Sequence, residues 1–192
     1  MYKYLIIILL LCLFLIYIFF HKSHYKKIHF LNPKWVSYNN ILKDGSCFYH
    51  TVLFSISNKY RNSDSIMKKQ FAQELRQSLY NFLTFEHYNK YYKNFDDYNN
   101  IKRNILFEWA GNIEWAIMCD YLNIQIVIFR EKTNDLYWGF DTINMSKKLI
   151  FILNTNDNHF EPIVFMNKNK IQYIFYYNDH IIKLLKKIKC KN

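Results

Sequence analysis

Tyr4 to Phe20 is an unbroken apolar run, almost wholly Leu, Ile and Phe, without a charge, a glycine or a proline. A helix over it rises ~1.5 Å per residue and reaches roughly 25 Å. That nearly crosses the ~30 Å hydrocarbon layer if Lys3 stretches its ammonium to the surface. The rival reading is a cleaved signal peptide, whose apolar region is shorter, about 7 to 15 residues, and ends in a small-x-small site. The flank here is Ile18-Phe19-Phe20-His21-Lys22, with no such site. Residues 1–22 are therefore expected to stay as a transmembrane anchor, so anything globular must come from the rest. Lys22, Lys26 and Lys27 follow the run and only Lys3 precedes it, so the positive-inside tendency favours a single-pass protein with its C-terminal domain in the cytosol. Cys12, Cys47, Cys119 and Cys190 are scattered, which is no disulfide framework and suits a reducing compartment.

After a linker over 23–35, residues 36–178 suffice for one domain with a real core, and 179–192 read as a basic C-terminal helix. The formal charge is +11, yet outside the anchor flank and the C-terminal lysines the basic residues are diffuse. Solvation and attraction to a membrane surface account for that charge, and nucleic acid is not expected as a partner. No His-Glu-x-x-His or paired Cys-x-x-Cys is present, and glycine occurs only at 45, 111 and 139, so neither a metal nor a phosphate-cradling loop is expected, and no cofactor.

Asp44-Gly45 signals a turn, with Ser46 as N-cap of a helix from Cys47 to about Ser57. Beyond Asp64, residues Met67, Phe71, Leu75, Leu79 and Phe82 keep helical spacing, with Lys68, Lys69, Gln73, Arg76 and Gln77 facing outward. Thr84 to Asn104 is expected to be helical in part, as an arm on the substrate side. Trp109, Ile113, Ala116 and Ile117 form a further stripe that ends near Asn123. Ile124 to Phe129 is a β-branched run suited to a strand buried on both faces. Leu136–Phe140 and Leu149–Leu153 follow, then a hairpin pairing His159–Phe165 with Ile171–Tyr177. Ile181, Ile182, Leu184, Leu185 and Ile188 suggest the last helix. Helices first and strands after give an α+β or mixed α/β domain.

Two of these places carry chemistry. Cys47 sits at a helix start, where amides and the helix dipole favour a thiolate. A free thiol with pKa near 8.5 is only about 3% ionised at pH 7, and a fall of about two units would make the thiolate predominant. Gly45 lets the backbone turn sharply so that amides meet a developing oxyanion. A random helix cysteine is usually just a small hydrophobe, but a core residue does not need the Asp-Gly-Ser turn. His159 leaves a polar turn and opens an apolar strand, fit to act as base. Glu161, two residues on and on the same face, is an orienting acceptor, with Asp157 as a second candidate. Asp44 either holds the turn by accepting amides or polarises the oxyanion site. His50 is a competing base, but it lies on the nucleophile's own helix and points away from attack geometry.

Asp44-Gly45-Ser46-Cys47-Phe48-Tyr49, then Trp109-Ala110-Gly111-Asn112-Ile113-Glu114-Trp115-Ala116 with Leu122-Asn123-Ile124-Gln125-Ile126, then Asn158-His159-Phe160-Glu161-Pro162-Ile163 resemble, in order, the blocks of the ovarian-tumour (OTU) family of cysteine proteases, most of which are deubiquitinases. The resemblance covers roughly 36–177. It implies a papain-like α+β fold, helices on a small central sheet, and a monomer. It also implies hydrolysis of ubiquitin or ubiquitin-like isopeptide bonds, the conjugates being the host's if the source is a virus or an intracellular parasite. In that scheme Cys47 attacks and His159 is general base and acid. Asp44 stands near the oxyanion, whose donors are the Ser46 and Cys47 amides. Glu161 departs from the family's Asp or Asn, and His50 from its common Arg. The Glu161 departure motivates the alternative, a ubiquitin-binding module without turnover. A third reading, a membrane-surface or nucleic-acid binder using Lys183 to Lys191, competes with simple packing of the last helix.

Overall fold

Runs of β-branched residues bury both faces only between two layers, and here they form the centre of a sheet. A computed structural model describes residues 10–11, 25–28, 31, 34–92, 97–133, 135–138, 147–156, 158–168, 170–178, 181, 183 and 185. The expected anchor lies outside these residues except for Leu10 and Leu11, and among the described residues no helix is long and apolar enough to cross a membrane. The chain runs β1 (Tyr25–Lys27), β2 (Trp35–Tyr38), α1 (Cys47–Ile56), α2 (Asn58–Arg61), α3 (Ser65–Phe82), α4 (Phe85–Tyr91), α5 (Tyr98–Phe107) and α6 (Asn112–Leu122). It continues through β3 (Ile124–Arg130), β4 (Asp135–Trp138), β5 (Lys148–Thr155), β6 (His159–Asn167) and β7 (Lys170–Gln172).

The sheet order is β1-β2-β6-β5-β3-β4, with β7 paired to β6. Only β3 and β5 are parallel, so the sheet is mixed and the α+β expectation is met. Ile124, Ile126 and Ile128 of β3 face the helices, whereas Val127 and Phe129 face a second core, as a strand buried on both faces requires. That second core centres on Trp35, whose ring meets Phe151 edge-on at 5.4 Å and Phe165 at 5.2 Å.

The linker expected over 23–35 is partly structural: β1 pairs with β2, and Ile28 and Leu31 bury in the second core. Ile181 and Leu185 bury there too, so the described part of the C-terminal segment packs on the domain.

Local chemistry ends the helices where the sequence suggests. The Asp64 carboxylate accepts from Met67 N at 2.9 Å and the Thr84 hydroxyl from His87 N at 3.1 Å, while Asp97 accepts from Asn99 N at 2.8 Å. The last two caps divide the Thr84–Asn104 segment into α4 and α5. Asn123 (φ 50) closes α6 in the left-handed region. The stripe expected from Trp109 is shorter: α6 starts at Asn112, and Trp109 is 56% exposed.

One contact set positions the site. Helix α1 lies across β6, with the Thr51 hydroxyl donating to Phe160 O at 2.8 Å. Phe160 packs edge-on against Phe48 at 5.5 Å and Trp115 at 5.7 Å. The start of α1 is thereby fixed against the start of β6.

Candidate active site

Gly45 takes φ +83, a left-handed conformation that L side chains rarely adopt, and a Cβ there would meet nothing within 4 Å. The turn needs glycine for its backbone angle and not for space. Asp44 Oδ1 accepts the Ser46 amide at 3.0 Å, and both Asp44 oxygens lie 3.1 Å from His50 Nε2. His50 Nδ1 is 2.9 Å from the Tyr60 hydroxyl. A carboxylate only accepts, so Nε2–H donates to Asp44, and Tyr60 O–H donates to Nδ1. That neutral tautomer satisfies both nitrogens of a ring with no exposure. Burial holds the His50 pKa below its ordinary value despite Asp44. Burial also tends to raise the Asp44 carboxyl, but the bonds from His50 and Ser46 outweigh it and leave it lowered. His50 is thus committed to the turn, in keeping with its expected orientation, and Asp44 takes the turn-holding role.

Cys47 is 3% exposed, and the backbone amides around it act to lower its thiol pKa. Burial nevertheless pushes the thiol pKa up, with the Asp44 charge adding to it. The lowering expected at the helix start does not emerge: the amides act in that direction, and loss of water outweighs them. Cys119, the other cysteine among the described residues, is buried, and burial pushes its thiol up to about 12.

His159 opens β6 directly before Phe160, whose carbonyl accepts from Thr51 of α1 and whose ring packs on Phe48, the residue after Cys47. The His159 ring is buried, and among the described residues Nε2 has no hydrogen-bond partner. Burial and the charge of Lys43 hold its pKa down. Glu161 shares the sheet face of His159 but no hydrogen bond joins them, and among the described residues its Oε2 has no partner. Burial raises the Glu161 carboxyl, partly offset by Ser37, Lys26 and Lys43. Nearby, Lys26 pairs with Glu131 at 2.7 Å. Asp157 lies outside the described residues. Of the two amides expected at the oxyanion, that of Ser46 is already donated to Asp44.

Arg76 was expected to face solvent, yet it is only 3% exposed. Its Nε donates to Ser46 Oγ at 3.1 Å and its Nη2 to Gly45 O at 3.0 Å. Nη1 donates to Ile105 O at 2.7 Å and Glu108 O at 3.0 Å. The Ser46 hydroxyl, expected as a cap, makes no capping bond because it serves Arg76 instead. A signal was present: Ala72, Leu75, Arg76 and Leu79 follow i, i+3, i+4, i+7, so Arg76 stands inside the apolar stripe.

No family model matches the chain, and no curated protein matches it. Among solved structures it is similar to an ovarian-tumour (OTU) domain in complex with ubiquitin, with a TM-score of 0.59 at 19% identity, covering 86% of this chain and 90% of that one. It is similar to the OTU domain of OTUD1, with a TM-score of 0.51 at 15% identity over 67% of this chain and 85% of that one. An OTU deubiquitinase from Wolbachia pipientis wMel gives a TM-score of 0.51 at 14% identity over 73% of this chain and 94% of that one. At these identities the likeness is one of fold, and the resemblance read from the sequence blocks is borne out at that level: this chain has the OTU fold.

Proposed function

We propose that this chain hydrolyses isopeptide bonds of ubiquitin or ubiquitin-like conjugates, with Cys47 as nucleophile and His159 as general base and acid. The observation that supports it most is the packing of the start of α1, which carries Cys47, on the start of β6, which carries His159: the Thr51 hydroxyl donates to Phe160 O at 2.8 Å and the Phe48 ring meets Phe160 edge-on at 5.5 Å. His159 takes the thiol proton as sulfur bonds to the carbonyl carbon. The tetrahedral species then collapses, and His159 returns that proton to the departing lysine amine, leaving a thioester. Water, deprotonated by His159, attacks the thioester and releases a carboxylate and the thiol. Residues 4–20 would tether the domain, facing the cytosol, to a membrane.

The full chain in lipid nanodiscs should hydrolyse a fluorogenic ubiquitin amide, and Cys47→Ala should abolish this without unfolding the protein. A folded wild-type chain inert toward ubiquitin and ubiquitin-like substrates would refute the proposal. The missing bond between His159 and Glu161 favours a second reading, a ubiquitin-binding module without turnover. It predicts binding that Cys47→Ala leaves unchanged and no hydrolysis.

A further inference from the structure

We infer that Arg76 is a positioning residue that locks the Gly45–Ser46 peptide and ties the nucleophile turn to the loop after α5. The inference rests on the proposed catalytic role of Cys47. One peptide unit is held at both ends: its carbonyl, Gly45 O, accepts from Arg76 Nη2 at 3.0 Å, and its amide, Ser46 N, donates to Asp44 Oδ1 at 3.0 Å. Gly45 is free of Cβ strain and has open space beside it, so the turn itself gives little resistance to rotation of this peptide. The two side chains supply that resistance, and Cys47 is the next residue.

The opposite side of the guanidinium binds Ile105 O and Glu108 O, and its Cζ lies 4.0 Å from the Tyr49 ring centroid. Tyr49 O–H also donates to Ile105 O, at 3.2 Å. Among the described residues no carboxylate pairs with Arg76, so a buried cation is carried by neutral acceptors alone. An aliphatic residue would complete the α3 stripe without that desolvation cost. What an aliphatic residue cannot do is join two segments through a planar fork of donors. The second segment carries Phe107 and Trp109, 73% and 56% exposed, so the clamp sets an exposed apolar loop in fixed relation to the nucleophile.

The test compares wild type, R76A, R76K and the remote control Y92F in the full chain. Y92F removes the 2.6 Å Tyr92–Asp120 bond and touches neither Arg76 nor its four acceptors. Two readouts are taken on proteins checked by near-UV circular dichroism: steady-state hydrolysis of a ubiquitin amide, and alkylation of Cys47 by iodoacetamide. Misplacing a reacting group by about 1 Å can cost on the order of 100-fold, so R76A should lose at least about tenfold in kcat with KM within about twofold. Alkylation of Cys47 should meanwhile accelerate about threefold or more as the turn loosens, a change opposite in sign to that in kcat. R76K, which keeps the charge but not the fork, should fall between, and Y92F should match wild type. Should R76A not fold, R76K alone decides. Wild-type kcat and alkylation in folded R76A or R76K would overturn the inference. If wild type itself hydrolyses nothing, the proposed function fails, while the alkylation readout still decides the clamp.

Discussion

Asp44→Ala should be far more damaging than a substitution at a loop residue ordinarily is. The carboxylate accepts the Ser46 amide at 3.0 Å and holds His50 Nε2 at 3.1 Å from both oxygens. Removing it strands a ring N–H in a side chain with no exposure, and a buried donor left unpaired costs about 1–3 kcal/mol. The Ser46 amide, only partly buried, recovers water and adds about 1 kcal/mol or less. The sum is about 1–4 kcal/mol, and at ~2–4 °C per kcal/mol for a domain of this size Tm should fall by roughly 2–16 °C. Asp44→Asn keeps one acceptor oxygen and should lose about half as much. Because the Asp44 charge opposes thiolate formation, either variant should also move the Cys47 thiol pKa down. Urea unfolding followed by tryptophan fluorescence gives the stability, and pH-dependent alkylation gives the thiol. A loss below ~0.5 kcal/mol in Asp44→Ala, the range of ordinary surface substitutions, would refute the buried relay from Tyr60 through His50 to the turn.

His50 carries a pH signature: its folded pKa is lowered, so below about 6.5 the unfolded chain takes a proton that the folded chain resists. Stability should therefore drop as pH falls from 7.5 to 5.5, with a gentler slope in His50→Gln; equal slopes in urea midpoints would contradict this. Cys47 alkylation should inflect above the ordinary thiol value of about 8.5, and an inflection below pH 7 would show a resting thiolate instead. Glu161→Gln should retain or slightly gain stability by thermal melt, because it removes a desolvated acid whose Oε2 is unpaired. A loss above about 2 kcal/mol would show that the ionised carboxylate is needed in the fold.

What was legible in the sequence followed from local rules. The β3 run and the α3 stripe are set by burial periodicity, and the α1 start by a turn that only glycine accepts. The pairing of the Cys47 and His159 blocks came from motif order, which reports fold. The hidden parts depend on distant partners. Arg76 reads as a solvated charge until Gly45 and Ile105, about 30 residues away on either side, are folded onto it. His50 looks like an idle histidine on the nucleophile's helix until Tyr60 and Asp44 enclose it. The Cys47 thiol was misjudged because helix position suggests the dipole but not the degree of burial. Glu161 shares a face with His159 as strand alternation requires, yet sharing a face does not make a hydrogen bond.

The central claim is that Cys47 and His159 act as one unit, and the most direct measurement is mass-spectrometric mapping of the adduct formed with a ubiquitin bearing a C-terminal alkyne electrophile. The account predicts a single adduct at Cys47 in the full chain, formed on the order of 100-fold more slowly in a folded His159→Ala variant, the scale of a lost general base. Undiminished labelling in His159→Ala, or an adduct at Cys119 instead, would contradict it.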